Sequence, residues 1–559
     1  MLKNIVARLL LILLAISGVS CARKKPTSSP ADAVVIAVAN DFDHLNPLLI
    51  QLSISREACI LIYPKLIVSK FDDAKGESVY APCLATRWEF SPDGKRATFF
   101  LRNDAVWDDG KKITSVDLKF SYQLYANPLV ASTRQSYAED FVRDKQGRLD
   151  FENGVQTPND TTLILNFQKP LAPNIVLDHF YDLMPVAKHI FEGIDPKDIR
   201  AKAAALPIVG GGAFKVERWE KQRELVLVSN PTSVLPHPAK LNRLVFRVIP
   251  EYATRLTALK AGEVDVVMAT GGIMPRDADE IAATNPNIDI KPVKHRNFDS
   301  VVWLNIDGDA YRENGTVKPN VFFGDVRVRQ AMSYGINRQA IIDGFMGRDR
   351  ATLVNTSLSP AFKSILIEPS PAFEYNPDKA KALLAEAGWK MGQSGVLEKD
   401  SRKFSFVLAS PNGNQRRSHA AAIVQQDLKK LGIECNLRYD EQVIFNQSQN
   451  DLKYDAAIAG LSAETLPFQL IIWDDFRKMP FNSACFQHPK LADVISKLAV
   501  PQPKEIERAL WREFQTILNE EQPRTFLYYF DELEGFNKRV KNVEVSMVAI
   551  LINAHEWTL

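Results

Sequence analysis

The order of apolar patterns between residues 404 and 459 restricts the fold of this chain more than any other feature of its sequence. Apolar residues recur at every second position over 404–408 and again over 435–437, as they do in strands. Between them, residues 420–431 form an amphipathic segment with helical spacing, and a short apolar run covers 454–459. Strands that alternate with helices of this length predict an α/β layer.

Turn and cap signals mark further elements along the chain. They predict a hairpin over Trp88–Leu101 with a turn at Ser91–Gly94, and a helix opened by a Thr114/Asp117 capping box. A helix over 254–261, stopped by Gly262, is followed by a strand over 264–268. Further helices are a helix capped by Asp325, another in "NRQAIIDGFM", one from Pro377 to Gly388, and one over 503–519 that precedes the strand "RTFLYYF".

The first twenty residues have the three parts of an export signal. Lys3 and Arg8 are basic, an apolar run follows them, and small residues come before Cys21. The small residue followed by Cys21 resembles the lipobox of bacterial lipoproteins, which implies that Cys21 carries lipid and that 21–31 is a flexible tether. The alternative is a secreted protein with a cysteine near its cleavage site. Either way, we expect the body outside the cytoplasm.

The charge of the chain argues against a nucleic-acid partner. It holds 69 Lys and Arg against 67 Asp and Glu, and both counts are 67 once Lys3 and Arg8 are removed. Nucleic-acid binding needs a basic face, which a neutral body does not indicate. Four cysteines follow Cys21. They predict either disulfides, with Cys435–Cys485 the first candidate pair, or buried thiols: Cys59, Cys83, Cys435 and Cys485.

No local motif for catalysis or for a cofactor is found in the sequence. The eight histidines never occur at i, i+4 on one helix, and no cysteine pair has zinc spacing. The glycines of "VGGGAF" (209–214) lack dinucleotide spacing, and neither a P-loop nor a G-x-S-x-G elbow occurs. Distant residues could still form a triad, but a pure binding role is favoured. We expect no enzyme activity, no cofactor and no metal.

A colinear series of segments resembles the family 5 extracellular solute-binding proteins, the peptide receptors of bacterial ABC importers. The segments are "LNPLL" (45–49), "APCLATRWEFSPDGKRATFFLRNDAVWDDGKKITSVDLKFS" (81–121), "VGGGAFKVERW" (209–219), "FRVIPEYATRLTALKAGEVDVV" (246–267), "DVRVRQAMSYGINRQAIIDG" (325–344), "YNPDKAKALLAEAGW" (375–389) and "DLKKLGI" (427–433).

This resemblance implies a two-lobed periplasmic-binding-protein fold of the large class, with an extra domain and a hinge between the lobes. Residues 1–20 are then the signal peptide and 21–31 the lipidated tether. Lobe I is expected to comprise 32–72, 207–295 and 530–559. The extra domain is expected to cover 73–206 and lobe II to cover 296–529.

The resemblance also implies how a ligand would be held. Glu464 corresponds to the acidic residue that pairs with the amino terminus of the peptide in such receptors. Arg416 and Arg417 are candidates for its carboxyl terminus, since a guanidinium can hold a carboxylate with two bonds. Trp303 and Trp473 are candidate pocket walls, although core packing is the alternative for both. The expected protein is a monomer that closes on an oligopeptide and delivers it to permease subunits, held at the membrane by its lipid.

Other functions remain open at this point. Receptors with the same fold carry nickel complexes, haem, opines or oligosaccharides. A lipoprotein that senses a signalling peptide is a further alternative. An exported hydrolase is a third class, which the missing motifs make remote.

Overall fold

The computed structural model describes residues 31–268, 272–368, 371–462, 465–477 and 481–559. The export signal and Cys21 precede this part of the chain, and Glu464 falls in one of its gaps. Within the described residues, no helix combines the length and the apolar character that crossing a bilayer requires.

The strands of the described residues are numbered in chain order. They are β1 (Ala33–Val38), β2 (Ile67–Asp72), β3 (Glu77–Pro82), β4 (Ala85–Phe90), β5 (Arg96–Leu101), β6 (Val155–Asn159), β7 (Thr162–Asn166), β8 (Phe214–Glu220), β9 (Glu224–Ser229), β10 (Arg243–Val248), β11 (Val266–Val267), β12 (Ile288–Trp303), β13 (Ala351–Leu353), β14 (Lys390–Met391), β15 (Leu397–Lys399), β16 (Arg402–Lys403), β17 (Ser405–Pro411), β18 (Glu434–Asp440), β19 (Ala456–Ser462) and β20 (Arg524–Asn537).

The α-helices are numbered in the same way. They are α1 (Ser53–Ile62), α2 (Ser115–Ala126), α3 (Phe151–Gly154), α4 (Pro173–Asp182), α5 (Lys188–Phe191), α6 (Ile199–Lys202), α7 (Tyr252–Ala261), α8 (Pro275–Thr284), α9 (Gly308–Asn314), α10 (Val326–Gly335), α11 (Arg338–Phe345), α12 (Pro377–Glu386), α13 (Gln415–Lys430), α14 (Gln442–Asn450), α15 (Leu466–Ile472), α16 (Pro489–Leu498) and α17 (Lys504–Glu521).

One large sheet runs through the molecule and is divided into two halves by β12 and β20. The order β8-β9-β10-β1-β11 forms the first half, and β19-β17-β18 forms the second half. The two long strands pair antiparallel between these halves, and β13 adds to the side of β20. Strand β1 (AVVIAV) is buried at every position, because it has parallel neighbours on both sides and a hydrophobic core on each face.

The pairing of β12 with β20 is interrupted between the two halves of the sheet. The register shifts between Val293 and Asn297, and a smaller irregularity follows at Asp299/Ser300. His295, inside the first shift, has φ = 56°, in the left-handed region that residues with a Cβ rarely adopt. This bulge lies where the two long strands pass from the first half of the sheet to the second.

A separate four-stranded sheet, β4-β5-β7-β6, belongs to the segment between β3 and β8. Its core contains Trp107, Tyr122 and Phe180, and α2 packs over it. The second half of the large sheet has a core on each of its faces. Each half of the large sheet and the smaller sheet therefore has its own hydrophobic core.

Several elements that the sequence predicts are confirmed. Strands β4 and β5 pair antiparallel as the expected hairpin. The capping box of Thr114 and Asp117 forms at the start of α2, and Asp325 caps α10 by accepting a hydrogen bond from the Arg327 amide. Gly262 ends α7 with φ = 72°. The predicted strands and helix over 404–459 appear as β17, α13, β18 and β19, and the unpredicted helix α14 lies between the last two strands.

The candidate disulfide between Cys435 and Cys485 does not form. Both side chains are buried thiols, and burial raises the pKa of each thiol to about 12. Cys435 lies on β18 in one core of the second half, whereas Cys485 lies in the core on the other face. The sheet between the two cores separates the two sulfurs, so the alternative of buried thiols holds for this pair.

Candidate ligand-binding site

A cavity lies where β12 and β20 pass between the two halves of the sheet. It encloses about 280 Å³, near the lower end of the ~300–1,000 Å³ usual for small-ligand sites. The first half contributes the residues at the ends of β1 and β11 and the start of α1. The second half contributes the starts of α13 and α14 and the end of β19, and the two long strands form the floor. Ligands of α/β proteins commonly bind at such carboxyl ends of strands.

A larger depression of about 550 Å³ lies beside the smaller sheet, around Cys83 and Arg102. Apart from Pro236, its lining comes from residues 82–161 alone. This depression is therefore not enclosed between two parts of the molecule that face each other. We assign the ligand site to the cavity between the halves of the large sheet, which is lined from both.

A fully buried carboxylate, Asp299, organises the wall of the cavity formed by the second half. Arg416 donates to it from Nε at 2.6 Å and from Nη2 at 3.4 Å, and Arg417 donates from Nε at 3.0 Å. Burial alone would raise the pKa of Asp299, but the charges of Arg416 and Arg417 outweigh this effect and lower it. The carboxylate is thus ionised and holds both guanidiniums at the cavity.

The start of α13 positions the two arginines. The side chain of Asn414 caps this helix by accepting a hydrogen bond from the Arg417 amide at 3.1 Å. The guanidinium of Arg416 lies over the ring of Phe530, 3.7 Å from its centroid, which adds a cation–π contact. Together with Asp299, the two guanidiniums leave one net positive charge at this helix N-terminus, which favours an anionic group of a ligand.

Gly460 on β19 allows this cluster to form. A Cβ at this position would lie 2.4 Å from Asp299 Oδ1 and 2.4 Å from the Phe298 carbonyl oxygen. It would also lie 2.7 Å from Arg417 Nη2. The close pairing of β19 with β12 therefore requires glycine here.

The opposite wall carries a second buried carboxylate, Glu57 on α1. It accepts hydrogen bonds from the amides of Ile550 and Leu551 at 3.2 and 3.0 Å, and Arg296 Nη2 lies 4.0 Å from its Oε1. With Glu532 on the floor, the described lining includes three carboxylates and three guanidiniums. The cavity is therefore balanced in charge, as a zwitterionic ligand would require.

The residues proposed from the sequence fall in different places. Arg416 and Arg417 both line the cavity. Trp303 and Trp473 instead lie in hydrophobic cores: the Trp303 indole stacks on Phe323 and donates to Thr525, while the Trp473 indole donates to Ser357 Oγ at 2.8 Å. Neither ring lines the cavity, which corrects their role as pocket walls. Glu464 lies outside the described residues.

Two residues of the site were missed by the sequence reasoning. Asp299 lies between Phe298 and the largely apolar run "SVVWL". The signal that the sequence offered for this residue was therefore a charged side chain inside a strand that is otherwise expected to be buried. Glu57 lies on an otherwise apolar helical face, with Ala58, Leu61 and Ile62. Each carboxylate is recognisable only as an exception to an apolar pattern.

Comparison with known proteins places this architecture in a family. The family described as bacterial extracellular solute-binding proteins, family 5 Middle, matches residues 79–476. The oligopeptide-binding protein AppA of Bacillus subtilis is 27% identical over 82% of this chain and 80% of its own length. The periplasmic oligopeptide-binding protein OppA of Salmonella typhimurium is 26% identical, over 69% of this chain and 67% of its own length.

Solved structures show the same fold. AppA of Bacillus subtilis in complex with a nonapeptide superposes with a TM-score of 0.77 at 22% identity, covering 96% of this chain and 100% of that one. NikZ of Campylobacter jejuni in complex with Ni(L-His) gives a TM-score of 0.77 at 22% identity, with 95% and 100% covered. The family matches most of the length of this chain, and the chain has the two-lobed α/β fold. The chain therefore belongs to the bacterial extracellular solute-binding proteins of family 5.

Proposed function

We propose that this protein is the oligopeptide-capturing subunit of an ABC importer and that it delivers its ligand to membrane permease subunits. The observation that carries the proposal is the charge-balanced cavity between the two halves of the sheet, lined from both. Oligopeptide-binding proteins among its relatives support the choice of ligand. A free peptide is a zwitterion, so its ends match the carboxylates and guanidiniums of the lining.

The domain limits follow the sequence expectation. Lobe I is proposed to comprise 32–72, 207–295 and 530–559, lobe II to comprise 296–529, and the extra domain to cover 73–206. The limits at 295 and 530 fall at the bulge between β12 and β20, which supports them. We propose this bulge as the hinge on which the lobes close, because, among the strands that the structure describes, only these two belong to both halves of the large sheet.

Localisation at the membrane is proposed from the first residues of the chain. Residues 1–20 would direct export, and lipid on Cys21 would hold the mature protein at the membrane through the tether 21–31. The body would then act as a monomer in the periplasm or at the cell surface, next to its permease.

The ends of the peptide would be recognised by opposite charges. Arg416 and Arg417 are proposed to bind the carboxylate, since both face the cavity at the N-terminus of α13 while Asp299 holds them. Glu464 is proposed to bind the amino group, as the resemblance implies. Closure would shield both pairs from water and strengthen them.

Calorimetric titration with modified peptides tests this assignment. The best ligand from a tripeptide pool is compared with its C-terminal amide and its N-acetyl form. Each change removes one charged contact, worth about 1.5–3 kcal/mol, so we expect roughly 10- to 100-fold weaker binding. Arg417→Ala should weaken binding of the free acid and leave the amide unchanged, and Glu464→Gln should do the same for the free amine.

Arg438→Ala is the matched control, because this arginine pairs with Asp440 at the surface of β18. It should bind all three peptides like the parent. Equal affinity for acid and amide would refute the role of the arginines, and a protein that binds no member of the pool would refute the peptide function itself.

A small non-peptide solute, such as a nickel complex, is the second candidate, and the size of the cavity favours it. About 280 Å³ suits a short ligand, and a protein of the same fold is solved in complex with Ni(L-His). Native mass spectrometry of freshly purified protein would identify a retained ligand: a peptide mass supports the first proposal, and a non-peptide mass supports this one.

A further inference from the structure

Two histidines and a carboxylate that are far apart in sequence meet on the first half of the molecule. Glu556 Oε1 lies 2.5 Å from His237 Nε2, although 319 residues separate them, and 3.8 Å from His555 Nε2. The centroids of the two imidazole rings are 5.1 Å apart, and the ring planes make an angle of 68°. The potential ligand atoms of the three side chains all lie within 4.8 Å of one another. None of the three lines the cavity between the lobes.

We propose that His237, His555 and Glu556 bind a divalent transition-metal ion of the Zn²⁺ type. Two imidazoles and one carboxylate are a ligand set for Zn²⁺, Co²⁺ or Ni²⁺, whereas Mg²⁺ and Ca²⁺ prefer oxygen ligands alone. Bonds of about 2.0–2.2 Å place ligand atoms of a tetrahedral site roughly 3.4 Å apart. The 2.5 Å contact must therefore widen and the 3.8 Å contact shorten slightly. Water would complete the coordination.

The surrounding residues orient the ligands for this role. His237 Nδ1 lies 2.7 Å from the carbonyl oxygen of Pro238, which can only accept, so Nδ1 carries a hydrogen and Nε2 faces the other ligands. The amide of Lys240 donates to the His555 carbonyl at 2.9 Å and ties the two segments together. Trp557, which follows Glu556 in the chain, is fully buried, and its indole donates to Asn553 Oδ1 at 2.8 Å. These contacts hold the segment that carries His555 and Glu556 in place.

Two neighbouring lysines oppose a cation at this position. Lys240 Nζ lies 2.5 Å from Glu556 Oε2, which is the carboxylate oxygen that does not contact the imidazoles. The positive charge of Lys70 likewise disfavours a positive charge at His555. Without metal, the same atoms form an ion-paired network. A metal site makes a prediction that such a network does not: removing the charge of Lys240 should strengthen binding.

Metal titration of the full chain, purified without a histidine tag and stripped with chelator, tests the proposal. Zn²⁺ alone is followed by calorimetry and Co²⁺ alone by visible absorption. We expect one equivalent of either ion and the intense bands of four-coordinate Co²⁺. His237→Ala, His555→Ala and Glu556→Gln should each weaken binding by about tenfold or more, and Lys240→Met should strengthen it several-fold.

His189→Ala is the matched control, since His189 contacts Asp109 at 2.6 Å as a single imidazole–carboxylate pair. It should leave the titration unchanged. Far-UV circular dichroism checks the fold of each variant, and X-ray absorption of the parent loaded with Zn²⁺ should show two imidazole ligands. A parent that binds neither ion, or binding that survives in both histidine variants, overturns the proposal. Ligand binding in the cavity is independent of either result.

Discussion

Asp299 combines full burial with full charge, and the cavity depends on that combination. Its carboxylate has lost its water, and Arg416, Arg417 and the hydroxyl of Tyr528 replace it. Charged groups are placed in such surroundings only with partners, because an unpaired buried charge is far more costly than the pair. The stability of the second lobe and the shape of the binding site are thus linked in one side chain.

Asp299→Asn should lower the free energy of unfolding by about 3 kcal/mol, since it leaves two guanidiniums at the cavity without their counter-ion. Chemical denaturation measures this loss. Asp289→Asn on the same strand is the control: it pairs with Lys291 and both side chains are partly exposed, so its effect should stay below about 0.5 kcal/mol. If both variants unfold at the same denaturant concentration, the cluster does not contribute as described.

Gly460→Ala should disrupt ligand binding more than its single methyl group suggests. The new Cβ would overlap Asp299 Oδ1 and the Phe298 carbonyl, and such overpacking costs about 1–3 kcal/mol. The thermal midpoint should fall and ligand affinity should be lost together. Gly193→Ala, with open space around its Cβ, controls for the loss of a glycine. A Gly460→Ala variant that binds ligand normally would contradict the geometry.

At this scale the sequence predicted only part of the candidate site. Arg416 and Arg417 were proposed because a guanidinium can hold a carboxylate with two bonds. Asp299, Glu57 and the pair of His237 with Glu556 depend on contacts between residues far apart in the chain, which no local pattern encodes. The tryptophans failed for the opposite reason, since a large aromatic side chain fills a core as readily as a pocket.

At the scale of elements, local signals were sufficient for fewer than half of the described helices and for some of the strands. Caps and turns placed α2, α7, α10 and the hairpin of β4 and β5, because each is stabilised by its own side chains. Strand β20 was underestimated: the predicted "RTFLYYF" continues to Asn537 through Asp531, Glu532 and Glu534. Charged residues end most strand patterns, and here pairing with β12 overrides them.

Asp531 on β20 makes the stability of the folded protein dependent on pH. Burial raises its pKa to about 6, against the opposing effects of Lys294, the His295 amide and Arg350. Between its ordinary value of 3.8 and about 6, the folded protein binds this proton more tightly than the unfolded chain does. Its contribution to stability is therefore greatest below that window and falls as pH rises through it.

Asp531→Asn should consequently stabilise the protein at pH 7.5 by about 1–2 kcal/mol, allowing for screening, and should flatten the stability profile between pH 4 and 6. Denaturation at a series of pH values measures both effects. Asp493→Asn, an exposed carboxylate paired with Lys497, should leave the profile unchanged. A stability that still falls over this window in Asp531→Asn would assign the effect to another group.

At the scale of the whole molecule, the proposed function requires the two lobes to move as bodies. Ligand that contacts both walls should shift the protein towards its closed form. Small-angle scattering should show a smaller radius of gyration with ligand, and ligand at 100 times its Kd should add about 2.7 kcal/mol to the stability. Arg417→Ala, titrated at the same concentration, should gain only about 0.4–1.4 kcal/mol, because its Kd is 10- to 100-fold higher, and should compact less. Stabilisation without any compaction would indicate a rigid pocket instead of a closing cleft.

The colinear motifs made the overall architecture predictable, because turns, caps and core residues in a fixed order define a topology even when each is weak alone. The thiols of Cys435 and Cys485 show what such motifs leave open, since only the positions of the strands place these residues on opposite faces of the sheet.

The course of β20 has a further consequence for how this protein is made. It supplies a central strand to both sheet halves, yet it ends only at Asn537. A nascent chain therefore cannot complete either half until almost all of it has left the ribosome, and long-range pairing of this kind is slow. Because the sheet is completed late, the polypeptide stays unfolded for longer. A chain that bears the proposed leader could then pass through a membrane pore before it folds.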